Sequence, residues 1–204
     1  MFETLLAFVG ATAILALSPG PDNIYVLAQS IANGSKAGLA TTAGLILGCI
    51  VHTTLIAFGV SALLTTTPTI LWGIKFFGAA YLLYLAYKVW QSDSEVALTQ
   101  GAPKKSYKAL FKQGVIMNVL NPKVTLFFLS FFPAFIWDQQ ANTVGQFYIL
   151  GFVFMGTSLV IFSGFALLAG SISNGLQQYQ NAGLVLKWVQ IIVFVGIAIF
   201  ILFP

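Results

Sequence analysis

Leu17-Ser18-Pro19-Gly20-Pro21-Asp22-Asn23 interrupts one apolar stretch of the chain, and Asn118-Val119-Leu120-Asn121-Pro122-Lys123 interrupts another. Asp22 and Lys123 are the only charged residues well inside the long apolar segments, and each stands beside a proline. A charge at membrane depth costs roughly 2.5–3.5 kcal/mol on insertion scales, so it is seldom kept without a use. A proline there removes a helical hydrogen bond and frees backbone groups that lipid cannot satisfy. Charge plus helix break, found twice, points to a polar site lined by two discontinuous helices. That is the plan of a transport site.

Composition sets the class. Of 204 residues, 58% are hydrophobic and only 7% charged, against about 25% charged in soluble domains. The expectation is an all-α integral membrane protein. The net charge of +4 comes from nine lysines with no arginine, so there is no bidentate fork for phosphate. The lysines cluster in loops, and no nucleic-acid partner is expected. The single cysteine, Cys49, allows no internal disulfide or multi-cysteine metal site. Met1-Phe2-Glu3-Thr4 lacks the basic start of a signal peptide, so the first apolar stretch is expected to stay as a spanning helix.

At about 20 apolar residues per crossing, six spans are expected, near residues 5–28, 37–64, 69–90, 110–137, 144–171 and 182–203. Lys36, then Lys88, Lys104, Lys105, Lys108 and Lys112, then Lys187 lie in or beside the odd connections. The termini and even connections carry only Glu3 and Asp138. By the positive-inside rule both termini lie outside. The chain then reads as one transmembrane domain, 1–204. A first repeat (1–90) and a second (110–204) flank a cytoplasmic linker (91–109).

Three spans per half make the second half enter the membrane inverted. Leu17-Ser18-Pro19 aligns with Leu120-Asn121-Pro122, Gly38 and Gly44 with Gly145 and Gly151, and Lys75 with Lys187. Inverted repeats with midplane sites at broken helices are usual in secondary transporters.

These residues also resemble a known family, the LysE/RhtB-type amino-acid exporters of bacteria. The resemblance runs through Ser18-Pro19-Gly20-Pro21-Asp22-Asn23, Gly34-Ser35-Lys36-Ala37-Gly38, and Gly44, Gly48 and His52. It continues in Gly78-Ala79-Ala80-Tyr81-Leu82-Leu83-Tyr84-Leu85, Asn118 with Asn121-Pro122-Lys123, and Phe131-Phe132-Pro133. It covers the whole chain. It implies six spans in a bacterial cytoplasmic membrane and proton-driven export of amino acids or derivatives such as homoserine and its lactone. Ala134 stands where the family often has Gln, and Lys36 where Arg is common.

Each candidate has a functional and a structural reading. Asp22 can bind a substrate ammonium or exchange a proton, and Asp is also favoured at the N-cap of a helix restarting after Pro21. Lys123 can neutralise Asp22 or bind a carboxylate. Its structural readings are an ion pair or snorkelling, the latter hard at about 16 Å along the helix from Lys112. Asn23, Asn118 and Asn121 can hold substrate or satisfy carbonyls freed by Pro19, Pro21 and Pro122. Gly20 serves the break through its backbone freedom. His52 can relay protons, although a lone histidine on an apolar helix is more often hydrogen-bonded packing. Lys75 reads as snorkelling to the outer interface.

Gly44-Leu45-Ile46-Leu47-Gly48 can drive homodimerisation or close packing within one bundle. Phe127-Phe128-Leu129-Ser130-Phe131-Phe132 reads as core and lipid-facing surface. Trp72, Trp90, Trp137 and Trp188 read as interfacial anchors.

The expected function is a proton-coupled antiporter working by alternating access, without cofactor or metal. No GxxxxGK[ST] motif supports ATP-driven pumping. An intramembrane enzyme would need a second deep carboxylate, a nucleophile dyad or a metal site, so no enzyme is expected. The rivals are a channel, a non-transporting membrane subunit, or an exporter of an organic acid or cation. The lack of an acidic ring weighs against cation conduction.

Overall fold

The computed structural model describes residues 1–18, 20–64, 68–91, 103–138, 140–169, 171–172 and 182–203. Pro19, residues 65–67 of the second connection and linker residues 92–102 lie outside the described residues. Within them every regular element is helical: α1 (Phe2–Leu17), α2 (Pro21–Asn33), α3 (Ser35–Leu64), α4 (Pro68–Gln91), α5 (Tyr107–Val119), α6 (Pro122–Phe131), α7 (Thr143–Leu167) and α8 (Ala182–Leu202), with a 3-10 turn at Phe132–Phe135. Each of the six apolar stretches falls on one of these helices or on a broken pair.

Both breaks are built on a proline that starts the downstream helix, where its missing N–H is no loss. The axes turn by 59° between α1 and α2, and by 53° between α5 and the α6 segment. At the first break, Asn23 Nδ2 donates to the carbonyls of Ala16 (2.8 Å) and Ser18 (3.2 Å). This meets the need for partners at an interrupted helix end. Asn23 therefore secures the break. At the second, Asn121 caps α6 by accepting from the Lys123 N–H at 3.0 Å. The α2–α3 turn has a single residue between its helices, Gly34 at φ 85°, a left-handed angle that glycine takes without strain.

Among the described residues, two helices, Ser35–Ala62 and Thr143–Leu167, are long and apolar enough to cross a membrane; counting each bent pair as one span gives up to four. α3 packs against α5, α7 and α2, while α4 packs against α8 and α6. The α3–α5 crossing is close. A Cβ on Gly44 would collide with the Phe111 carbonyl, one on Gly114 with the Thr41 carbonyl, and one on Gly48 would lie 2.7 Å from Asn118 Cβ. Gly44 and Gly48 thus serve packing inside the bundle, as small residues do where helices cross closely.

The phenylalanine-rich stretch corrects one expectation. Phe127, Phe128, Phe131 and Phe132 are all fully buried, so none faces lipid. Phe128–Phe132 and Phe127–Phe131 stack at 4.2 and 4.6 Å between ring centroids, and the group meets Phe8, Phe135 and Phe154 in mostly edge-on or tilted contacts. Such pairs add about 0.5–1.5 kcal/mol each beyond the area they bury. This aromatic core braces α6 immediately after the second break. Trp72, Trp90 and Trp188 are exposed, and Lys75 lies 5.6 Å from the Trp72 ring centre.

Candidate functional site

The two breaks meet in one cavity of about 50 Å³, room for a few water molecules. Asp22, Asn23, Asn118, Asn121 and Lys123 all line it, together with Gly20 and Pro21. Residues distant in sequence are brought together by α2 and α6 starting at the same place. Asp22 is buried in the first turn of α2, where the helix dipole favours a carboxylate. Gly20, not Asp22, is the N-cap, and the Asp22 side chain makes no cap hydrogen bond. Its Oδ2 instead accepts from Asn121 Nδ2 at 3.3 Å across the two halves.

Lys123 points inward. Its Nζ lies 4.6 Å from the Phe194 ring centre, a cation–π contact, and would be 3.2 Å from a Cβ placed on Gly20. Asp22 and Lys123 line the same cavity. Its lining thus holds a carboxylate and an ammonium, the two partners an amino-acid zwitterion needs.

His52 does not line the cavity. It sits behind Asn118, with Nε2 3.0 Å from the Asn118 carbonyl and its ring against Phe128 at 5.4 Å. To donate there Nε2 must carry the proton, which leaves Nδ1 as a buried acceptor without a partner. Pro122 starts α6 and is exposed. Pro19 lies outside the described residues.

Other lining residues were not singled out as site residues in the sequence. Cys49 lines the cavity, and its Sγ lies 3.6 Å from Asn118 Nδ2. Ser18 and Ser158 line it too, as do Phe154 and Phe162 on either side of Ser158. The four-residue spacing Phe154–Ser158–Phe162 on one helix face was the only available signal. Among the described residues no group of three or more His, Cys, Asp or Glu could hold a metal ion.

An all-helical protein with apolar spans, broken at a cavity that holds opposite charges, has the form of a membrane transport protein. The comparisons agree: residues 13–203 match the family described as LysE type translocator. The chain belongs to the LysE family of membrane translocators. It is 33% identical over 172 residues to a homoserine/homoserine lactone efflux protein of Salmonella typhimurium, covering 84% of this chain and 83% of the relative. It is 32% identical over 172 residues to a protein of the same description from Salmonella typhi, with the same coverage. It is 28% identical over 169 residues to an uncharacterized membrane protein of Vibrio cholerae, covering 83% and 82%. No solved structure matches.

Proposed function

We propose that this protein is a secondary exporter that moves a small amino acid or derivative, of the homoserine, threonine or homoserine-lactone kind, out of a bacterial cell in exchange for protons. The observation that carries the reading is the convergence of Asp22 and Lys123 on one cavity at two helix breaks. The efflux relatives support the substrate class. Asp22 takes the substrate ammonium, and Lys123 takes the carboxylate, or in a lactone the ring carbonyl that replaces it. A proton arriving from outside neutralises Asp22, releases the ammonium and ties export to the proton gradient.

The architecture in this proposal is six spans in two inverted three-span repeats, 1–90 and 110–204, with both termini outside the cytoplasmic membrane. The packing supports an exchange between halves: α3 meets α7, α4 meets α8, and α5 on α3 is answered by α1 on α7. Rocking of one half on the other exposes the cavity alternately to each side. The test is counterflow from proteoliposomes loaded with labelled L-homoserine. Saturable exchange supports a carrier, whereas flux that neither saturates nor shows counterflow belongs to a channel.

A further inference from the structure

Three buried polar atoms around the cavity have no hydrogen-bond partner: Ser18 Oγ, Asn118 Oδ1 and Ser158 Oγ. Each residue is less than one-twentieth exposed. Buried polar groups left unmatched are uncommon and call for an explanation. Ser158 is the most informative. Four other buried helical hydroxyls turn back onto the carbonyl four residues earlier: Ser30 onto Val26 (2.7 Å), Thr41 onto Ala37 (3.1 Å), Thr53 onto Cys49 (2.9 Å) and Ser130 onto Leu126 (2.6 Å). Ser158 makes no such bond, although its helix offers the same carbonyl. Thr12 and Thr42 are also unpartnered, but neither lines the cavity.

Ser158 stands on α7, apart from the charged residues carried by α2 and α6, and between Phe154 and Phe162 on the same lining face. An apolar strip with one free hydroxyl at its middle suits a short carbon chain that carries one polar group. We infer that Ser158 is a substrate-binding residue whose hydroxyl reads a hydrogen-bonding group on the side chain of a small amino acid, with Asn118 Oδ1 accepting from the same ligand. This rests on the amino-acid exporter reading. A hydroxyl both donates and accepts, so Ser158 pairs with a side-chain alcohol in either sense.

The test compares L-homoserine with L-2-aminobutyrate, which has the same carbon number and no hydroxyl, in proteoliposomes of native, Ser158→Ala and Ser158→Thr protein. Native protein favours homoserine. Ser158→Ala raises the KM for homoserine by about 5- to 10-fold, the loss of one neutral hydrogen bond, and changes that for aminobutyrate less than twofold. Ser158→Thr keeps the preference and controls for folding. Equal effects on both substrates, no effect on either, or no preference in native protein would overturn the assignment while leaving the exporter standing. Native protein that moves neither compound overturns both.

Discussion

Asn121 joins the two halves of the site: its Nδ2 donates to Asp22 Oδ2 at 3.3 Å while its Oδ1 caps the helix that begins at Pro122. One side chain therefore both starts α6 and holds the carboxylate carried by α2. The two roles can be separated. Asn121→Ala loses the cap and lowers stability by about 1 kcal/mol, whereas Asn121→Ser keeps a capping oxygen and stays within a few tenths. Alanine has no donor, and a serine hydroxyl, one bond shorter than the Asn121 amide that reaches Asp22 Oδ2 at 3.3 Å, falls short of the carboxylate, so both raise the KM for substrate. Unfolding in detergent and efflux kinetics on the same preparations check this.

The α3–α5 crossing predicts a contrast among glycines. Gly44→Ala and Gly114→Ala place a Cβ against a backbone carbonyl, which cannot swing away as a side chain can. Overpacking of this kind costs about 1–3 kcal/mol. Gly156→Ala, with nothing within 4 Å of its Cβ, leaves thermal stability near native or slightly improved by helix propensity. Melting of the three variants in one detergent gives the comparison.

His52→Gln tests whether the histidine carries protons. The Asn118 carbonyl also accepts from the Asn121 N–H at 3.1 Å, so loss of the His52 bond leaves it partnered. The expected loss is about 1 kcal/mol of stability, with the dependence of efflux on the pH gradient unchanged. Gradient-independent efflux in this variant would make His52 part of the coupling.

Lys123→Gln removes the ammonium that shares the cavity with Asp22. On the proposed division of roles it weakens substrate binding at the carboxylate end, raising KM at least 10-fold, the scale of a charge-assisted hydrogen bond. Methyl esters of the same amino acids, which lack that carboxylate, lose little further in the variant. Efflux of acid and ester pairs measures it.

Both breaks were legible in the sequence because proline and charge act locally. Pro21 and Pro122 dictate where α2 and α6 start, whatever packs on them. Asp22 and Lys123 were conspicuous against an apolar background. Which faces turn inward was not legible. In a membrane, lipid and protein core are equally apolar, so the polar stripe that betrays the outer face of a soluble helix is absent. Hence the Phe127–Phe132 stretch was read as partly lipid-facing although all four phenylalanines are buried, and Ser158 passed as one more serine in an apolar helix. His52 was visible as a lone histidine, but only the tertiary arrangement puts it behind Asn118 rather than in the cavity.

The central claim is that Asp22 binds and couples. It is tested most directly by efflux of L-homoserine from proteoliposomes under an imposed pH gradient, acid on the side that receives substrate, with native protein and Asp22→Asn. The account predicts saturable, gradient-driven efflux in native protein and its loss in the variant, which stays folded by size-exclusion and melting. A folded Asp22→Asn protein that exports at the native rate with the same dependence on the gradient would contradict it.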